Sequence, residues 1–173
     1  MGEVGGEDLE FGIRNQESEI YSMPHIIDYT DNHAPAFKEI NVEWLEKYNL
    51  LESHDIQMLD DPRATIIDSG GVIYLAEDNG TIIGSAALIY EHDGVYELAK
   101  MTVVPAWRGK GISKMLLEKC LDTARALQAK KVTLFSNDQL QTALVLYQKY
   151  GFVHIPVTDS PFATANVKME LIL

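Results

Sequence analysis

The chain has a single cysteine and no long apolar run, and each absence excludes a class of protein. Cys120 has no second cysteine to pair with, so an intramolecular disulfide is excluded and a reducing compartment is expected. No stretch approaches the roughly 18 apolar residues of a transmembrane helix, so we expect no membrane association. The first ten residues are acidic and lack the apolar segment of a secretion signal, which predicts a cytoplasmic protein.

Basic residues are scarce in the first part of the chain. Residues 1–62 hold 15 acidic residues against Arg14, Lys38 and Lys47, so this part carries the whole net charge of −12. Residues 63–173 balance at 11 acidic and 11 basic residues, and eight of these bases fall within 100–131. The overall acidity argues against nucleic acid as a partner.

Internal repeats and Pro- or Ser-rich linkers are also absent, which favours one folded domain. Residues 1–22 are rich in Gly and Glu and only weakly periodic, so we predict a flexible acidic segment there and a domain over 23–173. After Gly70-Gly71, three apolar runs separated by short turns predict an antiparallel meander. A helix over about 109–129, a strand, a helix over 138–150 and two further strands follow, which predicts an α/β (α+β layered) fold.

The most informative segment, residues 103–113, reads Val-Val-Pro-Ala-Trp-Arg-Gly-Lys-Gly-Ile-Ser. It lies between an apolar strand and an amphipathic helix, where a helix offers unpaired N–H groups and the positive end of its dipole. Gly109 and Gly111 let the backbone approach an anion closely. The segment therefore predicts a phosphate-bearing ligand, most simply a pyrophosphate, at the start of the helix. Arg108, Lys110 and Lys114 are then either phosphate ligands or part of a solvated face.

Two common phosphate-binding motifs do not fit this segment. A dinucleotide fingerprint requires G-x-G-x-x-G after the first strand, and a P-loop requires Ser or Thr directly after Gly-Lys. Instead, Val103-x-Pro105-x-x-Arg108-Gly109-x-Gly111-Ile112 is followed by Leu144-x-Leu146-Tyr147-x-x-x-Gly151-Phe152. The two motifs together resemble the GCN5-related N-acetyltransferase (GNAT) superfamily over about residues 70–173. Ser113 departs from the final Gly or Ala of the family's loop, but its small side chain preserves close backbone approach.

The resemblance implies the fold and the cosubstrate. It implies a mixed, mostly antiparallel sheet of six to seven strands flanked by about four helices, splayed between the strands before and after the CoA-binding helix. It implies acetyl-CoA as cosubstrate and no metal. The positions that match the family's cofactor site are Met101 and Val103 on the strand, Arg108, Gly109, Lys110, Gly111, Ile112 and Ser113 in the loop and helix, and Asn137 after the next strand. Asn137 has an alternative role as N-cap of the following helix.

Two residues are candidates for catalysis by the same resemblance. Glu97 lies four residues before Met101, where some family members carry a catalytic glutamate, and is the candidate base, acting through water. Its alternative is a solvent-facing strand residue. Tyr147 matches the tyrosine that protonates the departing thiolate in many members, with core packing as the alternative. Cys120 lies on the apolar stripe of its helix and is predicted to be a core residue.

The resemblance predicts an N-acetyltransferase, with a non-catalytic acyl-CoA-binding regulatory domain of the same fold as the alternative. The acceptor is then a small-molecule amine or an amine of a protein or peptide. The acidic first part of the chain favours a cationic acceptor. Trp44, Tyr48 and Asp61 are candidate walls of the acceptor site. Family members often pair through their terminal strands, so a homodimer is possible.

Overall fold

The computed structural model describes residues 23–173, which form one seven-stranded sheet with helices on both faces. The prediction for residues 1–22 lies outside the described residues. Along the chain the elements are β1 (His25–Asp28), α1 (Ala34–Lys47), α2 (Ser53–Asp60), β2 (Val72–Asp78), β3 (Thr81–His92), β4 (Val95–Val103), α3 (Ile112–Ala126), β5 (Lys131–Ser136), α4 (Gln141–Lys149), β6 (Val153–Ile155) and β7 (Val167–Ile172). Short helical turns lie at Asp31–His33, Arg63–Ile67 and Pro105–Trp107.

The strands lie in the order β1-β2-β3-β4-β5-β7-β6, and among these neighbours only β4 and β5 run parallel. The turns Asn79-Gly80 and Asp93-Gly94 join β2 to β3 and β3 to β4, and all four residues have positive φ, as tight hairpin turns require. A parallel neighbour needs a crossover connection, which α3 supplies between β4 and β5. The predicted mixed, mostly antiparallel sheet is confirmed.

Alternate strand residues face two separate cores, as the period of two in a strand requires. On β2, Tyr74 and Ala76 pack in the core shared with α3 and α4, whereas Ile73 and Leu75 pack in the core shared with α1 and α2. Cys120 is fully buried in the first of these cores, as predicted. None of the helices within residues 23–173 is long and apolar enough to cross a bilayer.

Both helices that flank β5 begin later than their sequence pattern predicts. α3 begins at Ile112 rather than near Gly109, because Gly109 and Gly111 have φ values of 73° and 82°, outside the right-handed helical region. α4 begins at Gln141, not at Asp138, with Leu140 as its N-cap residue. The alternative role of Asn137 as N-cap is therefore wrong. The residues after it form a turn, in which Leu140 N–H donates to the Asn137 carbonyl.

Candidate active site

A cavity of about 910 Å³ opens where β4 and β5 separate. We call this separation of the two strands the fork. The two strands pair from Val95 with Lys131 up to Glu97 with Thr133, and this ladder goes no further although β4 continues to Val103. The predicted splay is thus confirmed. The volume is within the usual range of small-molecule sites, roughly 300–1,000 Å³. We call the wall formed by Arg108, Gly109, Gly111 and Ser113 the α3 side, and the wall formed by Asp55, Glu97, Lys100 and Phe162 the α2 side.

Main-chain groups dominate the α3 side. Among residues 23–173, no side chain caps the N-terminus of α3, and Met115 N–H makes the helical bond to the Gly111 carbonyl. The N–H groups just before Met115 therefore have no acceptor within the helix. A Cβ added at Gly109 or Gly111 would meet no atom within 4 Å, so open space adjoins both glycines. An uncapped helix start beside open space and glycines is suited to an anion.

The three basic residues near this helix start differ in what they contact. Arg108 lines the cavity and donates from Nε to the Val103 carbonyl at 3.0 Å, which fixes the guanidinium at the mouth of the fork. Lys114 also lines the cavity, and its Nζ lies 3.9 Å from Glu118 Oε1. Lys110 is exposed and lies outside the cavity lining. Its Nζ lies over the Trp107 ring, 4.7 Å from the ring centroid. The Lys110 side chain is thus exposed to solvent, and its role as a phosphate ligand stays a prediction.

The edge of β4 that faces the fork presents main-chain groups to which no described strand is paired beyond Glu97. Val104 donates its N–H to the Ile83 carbonyl of β3. Main-chain groups of successive strand residues point to alternate edges, so those of Val103 and Met101 point away from β3 and into the fork. Both residues line the cavity. An extended ligand with amide groups could pair with this edge as an added strand does.

Glu97 lies at the point where the fork begins. Its cross-strand partner on β3, Ile89, belongs to the core under α1 and α2, which puts Glu97 on that face of the sheet. The residue is 5% exposed and lines the cavity. Burial and the neighbouring Glu91 carboxylate raise the pKa of Glu97 to about 8, against the opposing effect of the Lys100 and Lys168 ammonium groups. The site thus holds a carboxyl that exchanges its proton near neutral pH.

A β-bulge sets the position of Lys100. Thr102 pairs with Ser85 and Ala99 with Ala87, so two residues of β4 face the single residue between them on β3. Lys100 has a φ of 51°, in the left-handed region, and the Ser85 hydroxyl donates to its carbonyl at 2.7 Å. The Lys100 ammonium forms a buried ion pair with Asp55 of α2, with side chains 5% and 4% exposed. It also lies 5.4 Å from the Phe162 ring centroid.

The loop before β7 is fastened to α2 by one carboxylate. Glu52 accepts hydrogen bonds from the N–H groups of Ala163 and Thr164 and from the Thr164 hydroxyl, at 2.8, 3.1 and 2.6 Å. Burial acts in the opposite direction, but these hydrogen bonds hold the pKa of Glu52 below its ordinary value. The loop carries Phe162, whose ring packs edge-on against His54 and Phe135. Glu52 therefore fixes one aromatic wall of the α2 side.

Tyr147 and Asn137 both line the cavity from the β5–α4 region. Burial and the nearby Cys120 raise the pKa of Tyr147, whose ring packs 5.9 Å from that of Phe152. Asn137 donates to the Thr164 carbonyl at 2.7 Å and accepts from Gln139 N–H at 3.1 Å. It therefore orders the loop before β7 and has one amide N–H left for a ligand.

The family is decided by comparison with known proteins. The model of the Acetyltransferase (GNAT) family matches residues 34–152. This chain belongs to the GNAT acetyltransferase family. An uncharacterized N-acetyltransferase of Mycobacterium tuberculosis is 35% identical over 118 residues, which are 68% of this chain and 71% of the relative.

Solved acetyltransferases share the fold. A GNAT-family acetyltransferase of Staphylococcus aureus superposes with a TM-score of 0.80 at 24% identity, over 87% of this chain and 99% of the other. The PaiA N-acetyltransferase of Thermoplasma acidophilum, solved in complex with coenzyme A, superposes with a TM-score of 0.71 at 16% identity, over 88% and 100%. At these identities the likeness concerns the fold alone.

Most of the site residues predicted from the sequence line this cavity. Glu97, Met101, Val103, Arg108, Gly109, Gly111, Ile112, Ser113, Asn137 and Tyr147 all line it, as do Trp44 and Tyr48. Lys110 and Asp61 lie outside the lining, and Asp61 instead accepts from Ala64 N–H. Asp55, Lys100 and Phe162 line the cavity without having been predicted. No local pattern marks them, because they meet only through the bulge and the loop before β7.

Proposed function

We propose that this chain transfers the acetyl group of acetyl-CoA to a primary amine, by direct attack within a ternary complex. One observation carries the proposal: a continuous cavity runs from the uncapped start of α3 to the buried carboxyl of Glu97. In this proposal the pyrophosphate binds at Gly109–Ser113, beside Arg108 and the first turn of α3. The pantetheine amides pair with the edge of β4 that faces the fork, at Met101 and at Val103, whose carbonyl also accepts from Arg108 Nε. Membership of the GNAT family supports acetyl-CoA as the donor.

Glu97 is the proposed base. An amine arrives largely as ammonium, and it must lose a proton before its nitrogen can attack the thioester carbonyl. A carboxyl with a pKa of about 8 is a stronger base than an ordinary glutamate and is ionised in a useful fraction of molecules near neutral pH. Glu97 accepts the ammonium proton through a water molecule. The Met101 N–H, at the edge of the fork, stabilises the oxyanion as the C–N bond forms.

Tyr147 is the proposed acid. As the C–S bond breaks, its phenol donates a proton to the departing thiolate, and the second proton that the amine nitrogen loses on becoming an amide restores the phenol through water. The raised pKa keeps this phenol protonated throughout the physiological range. A thiol has a pKa of about 8.5 and leaves readily even without help, so the contribution of Tyr147 is smaller than that of Glu97.

The alternative function is binding of an acyl-CoA without catalysis. The position of Glu97 favours catalysis over this alternative, because a buried carboxyl with a raised pKa lies at the fork beside the proposed cofactor edge, where perturbed groups are concentrated in active sites. An intact glycine loop is required by both functions and does not discriminate between them.

The test is incubation of the purified chain with acetyl-CoA and a panel of amines, with free thiol and acetylated product measured together. Acetyl transfer predicts thiol and N-acetyl product in equal amounts, both dependent on the amine. Calorimetry with CoA is the companion measurement. Binding of CoA without product from any amine would support the regulatory alternative, and failure to bind CoA would contradict both functions.

A further inference from the structure

The α2 side of the cavity contains a buried lysine that the proposed chemistry does not use. Leu98, Met101 and Val103 pack towards the core under α3 and α4, whereas Ala99 packs towards the core under α1 and α2. Regular alternation would direct Lys100 towards α3. The bulge instead directs it to the same face as Ala99, where it reaches Asp55 of α2. Lys100 is therefore placed on the wall that also carries Glu97.

The hydrogen bonds of this lysine are incomplete. An ammonium has three N–H donors, and among the described residues the Lys100 group donates to one acceptor, Asp55 Oδ1. The second oxygen of Asp55 already accepts Glu52 N–H at 3.0 Å. The Lys100 side chain is 5% exposed and lines the cavity, so within residues 23–173 its remaining donors face the Phe162 ring and the cavity contents. A charged donor in this situation favours an anionic oxygen from the ligand.

The local charge differs from that of the whole chain. Asp55 neutralises Lys100, and Glu97 is largely protonated at pH 7 because its pKa is about 8. Lys168 adds a positive charge close by, with its Nζ 4.9 Å from the Phe135 ring centroid. Glu91 and Glu52 add negative charge nearby, but like Lys168 they lie outside the cavity lining, so the lining of the α2 side is not an acidic wall although the chain carries a net charge of −12. It suits an acceptor that brings a negative group together with its amine.

We propose that Lys100 determines acceptor specificity by binding a carboxylate of the acceptor, so that the substrate is a small amine that also carries a carboxylate, of the amino-acid class. This inference rests on the proposed acetyl transfer. The carboxylate of the acceptor accepts hydrogen bonds from the remaining N–H groups of Lys100, and Asp55, itself fixed by the Glu52 N–H, holds the ammonium in place. The amine of the same molecule then faces Glu97.

The test compares free L-amino acids with their amides, which keep the amine and the side chain but lose the carboxylate. Specificity constants are measured for the wild-type chain and for Lys100→Met. The amino group of an amino-acid amide is less basic than that of the free amino acid. The informative quantity is therefore the ratio of the specificity constants for acid and amide, and how this ratio changes between the two proteins. We expect this ratio to fall by about 10- to 150-fold in Lys100→Met, mainly through KM of the acids, as loss of a charged hydrogen bond implies.

Two further variants separate specificity from structure. Lys38→Met removes a lysine that pairs with Asp60 on the exposed surface and should leave the ratio unchanged. Lys100→Met combined with Asp55→Asn removes both buried charges, so it avoids an unpaired carboxylate if the single variant does not fold. The double variant should show the same fall in the ratio.

The outcomes distinguish this inference from the proposed function. If wild-type protein acetylates amides as well as acids, or if Lys100→Met slows both equally, the inference is overturned and acetyl transfer stands. If neither acids nor amides nor any other amine is acetylated, the proposed function fails and the inference fails with it.

Discussion

The α3 side and the α2 side of the cavity are built by different means. The α3 side consists of consecutive residues, Arg108 to Ser113, and uses main-chain N–H groups at a helix start. The α2 side brings together side chains that are far apart in the chain, such as Asp55 with Lys100 and Glu52 with Thr164. The first design needs small residues at particular φ values, and the second needs particular functional groups. The first suits a cosubstrate shared by a family, whereas the second can vary with the acceptor.

The largest expected effect is that of Glu97→Gln on the α2 side. If Glu97 is the base, the variant loses about 10²–10⁴-fold in kcat, since general base catalysis is worth that much. Binding of CoA should stay within a small factor of wild type, because the α3 side is untouched. Steady-state kinetics and calorimetry measure the two quantities. An unchanged kcat would remove Glu97 from the mechanism.

The pH dependence of kcat/KM, compared between wild type and Glu91→Gln, tests the assignment of Glu97 as the base. A base with a pKa of about 8 gives kcat/KM that rises with pH up to about 8. The Glu91 carboxylate disfavours ionisation of Glu97, so its removal lowers the pKa of Glu97 and shifts the rise to lower pH. A rise that stays at the same pH in Glu91→Gln would contradict this coupling.

The pH dependence of the free energy of unfolding tests the raised pKa of Glu97 independently of catalysis. The pKa of Glu97 is raised from its ordinary 4.5, so its ionisation opposes folding, and the free energy of unfolding falls as pH rises from about 4.5 to about 8. Gln does not ionise. The variant should therefore be more stable, relative to wild type, at pH 9 than at pH 4 in urea denaturation.

On the α3 side, Gly111→Val is the variant that should weaken the binding of CoA. A β-branched residue is strained at a φ of 82°, and its side chain enters the open space beside the helix start. We expect CoA affinity to fall by about 5- to 30-fold, as a strain of roughly 1–2 kcal/mol implies. Gly80→Val is the matched control, because Gly80 also has positive φ and open space but lies in the β2–β3 turn. Equal loss of CoA affinity in both variants would indicate general destabilisation.

Tyr147→Phe should have a smaller effect than Glu97→Gln. The phenol assists a leaving group that is already adequate, so we expect kcat to fall by about tenfold, with CoA affinity preserved. The Tyr147 ring packs against Phe152, and Phe keeps that contact. A fall in kcat as large as that of Glu97→Gln would mean that thiolate departure limits the rate.

The smallest effect is expected for Glu52→Gln. Its amide can accept fewer of the three hydrogen bonds that hold the Phe162 loop, so the acceptor KM should rise about threefold, without a change in CoA affinity. Gln148→Ala removes the bond between its side chain and His154 Nε2, outside the cavity lining, and is the control. A change confined to CoA affinity would mean that the loop belongs to the α3 side.

The difference between the α3 side and the α2 side also explains which features could be predicted from the sequence. The glycine loop and the Leu-Tyr-x-x-x-Gly-Phe segment are local, so the sequence shows both, and the family resemblance that they carry implied the fork and most of the residues that line it. Lys100 was missed because a bulge reverses the alternation of β4, and a bulge has no reliable sequence signal. Asp55 and Phe162 were missed because long-range packing alone brings them to Lys100. The start of α3 was misplaced because the glycines that indicate an anion site also delay the helix.

The central claim is that cosubstrate and acceptor occupy the two sides of one cavity at the same time. The most direct test is an initial-rate study in which acetyl-CoA and the fastest amine of the panel are both varied. Direct attack in a ternary complex predicts double-reciprocal lines that intersect. Parallel lines, with an acetylated enzyme detected by mass spectrometry in the absence of amine, would contradict the account.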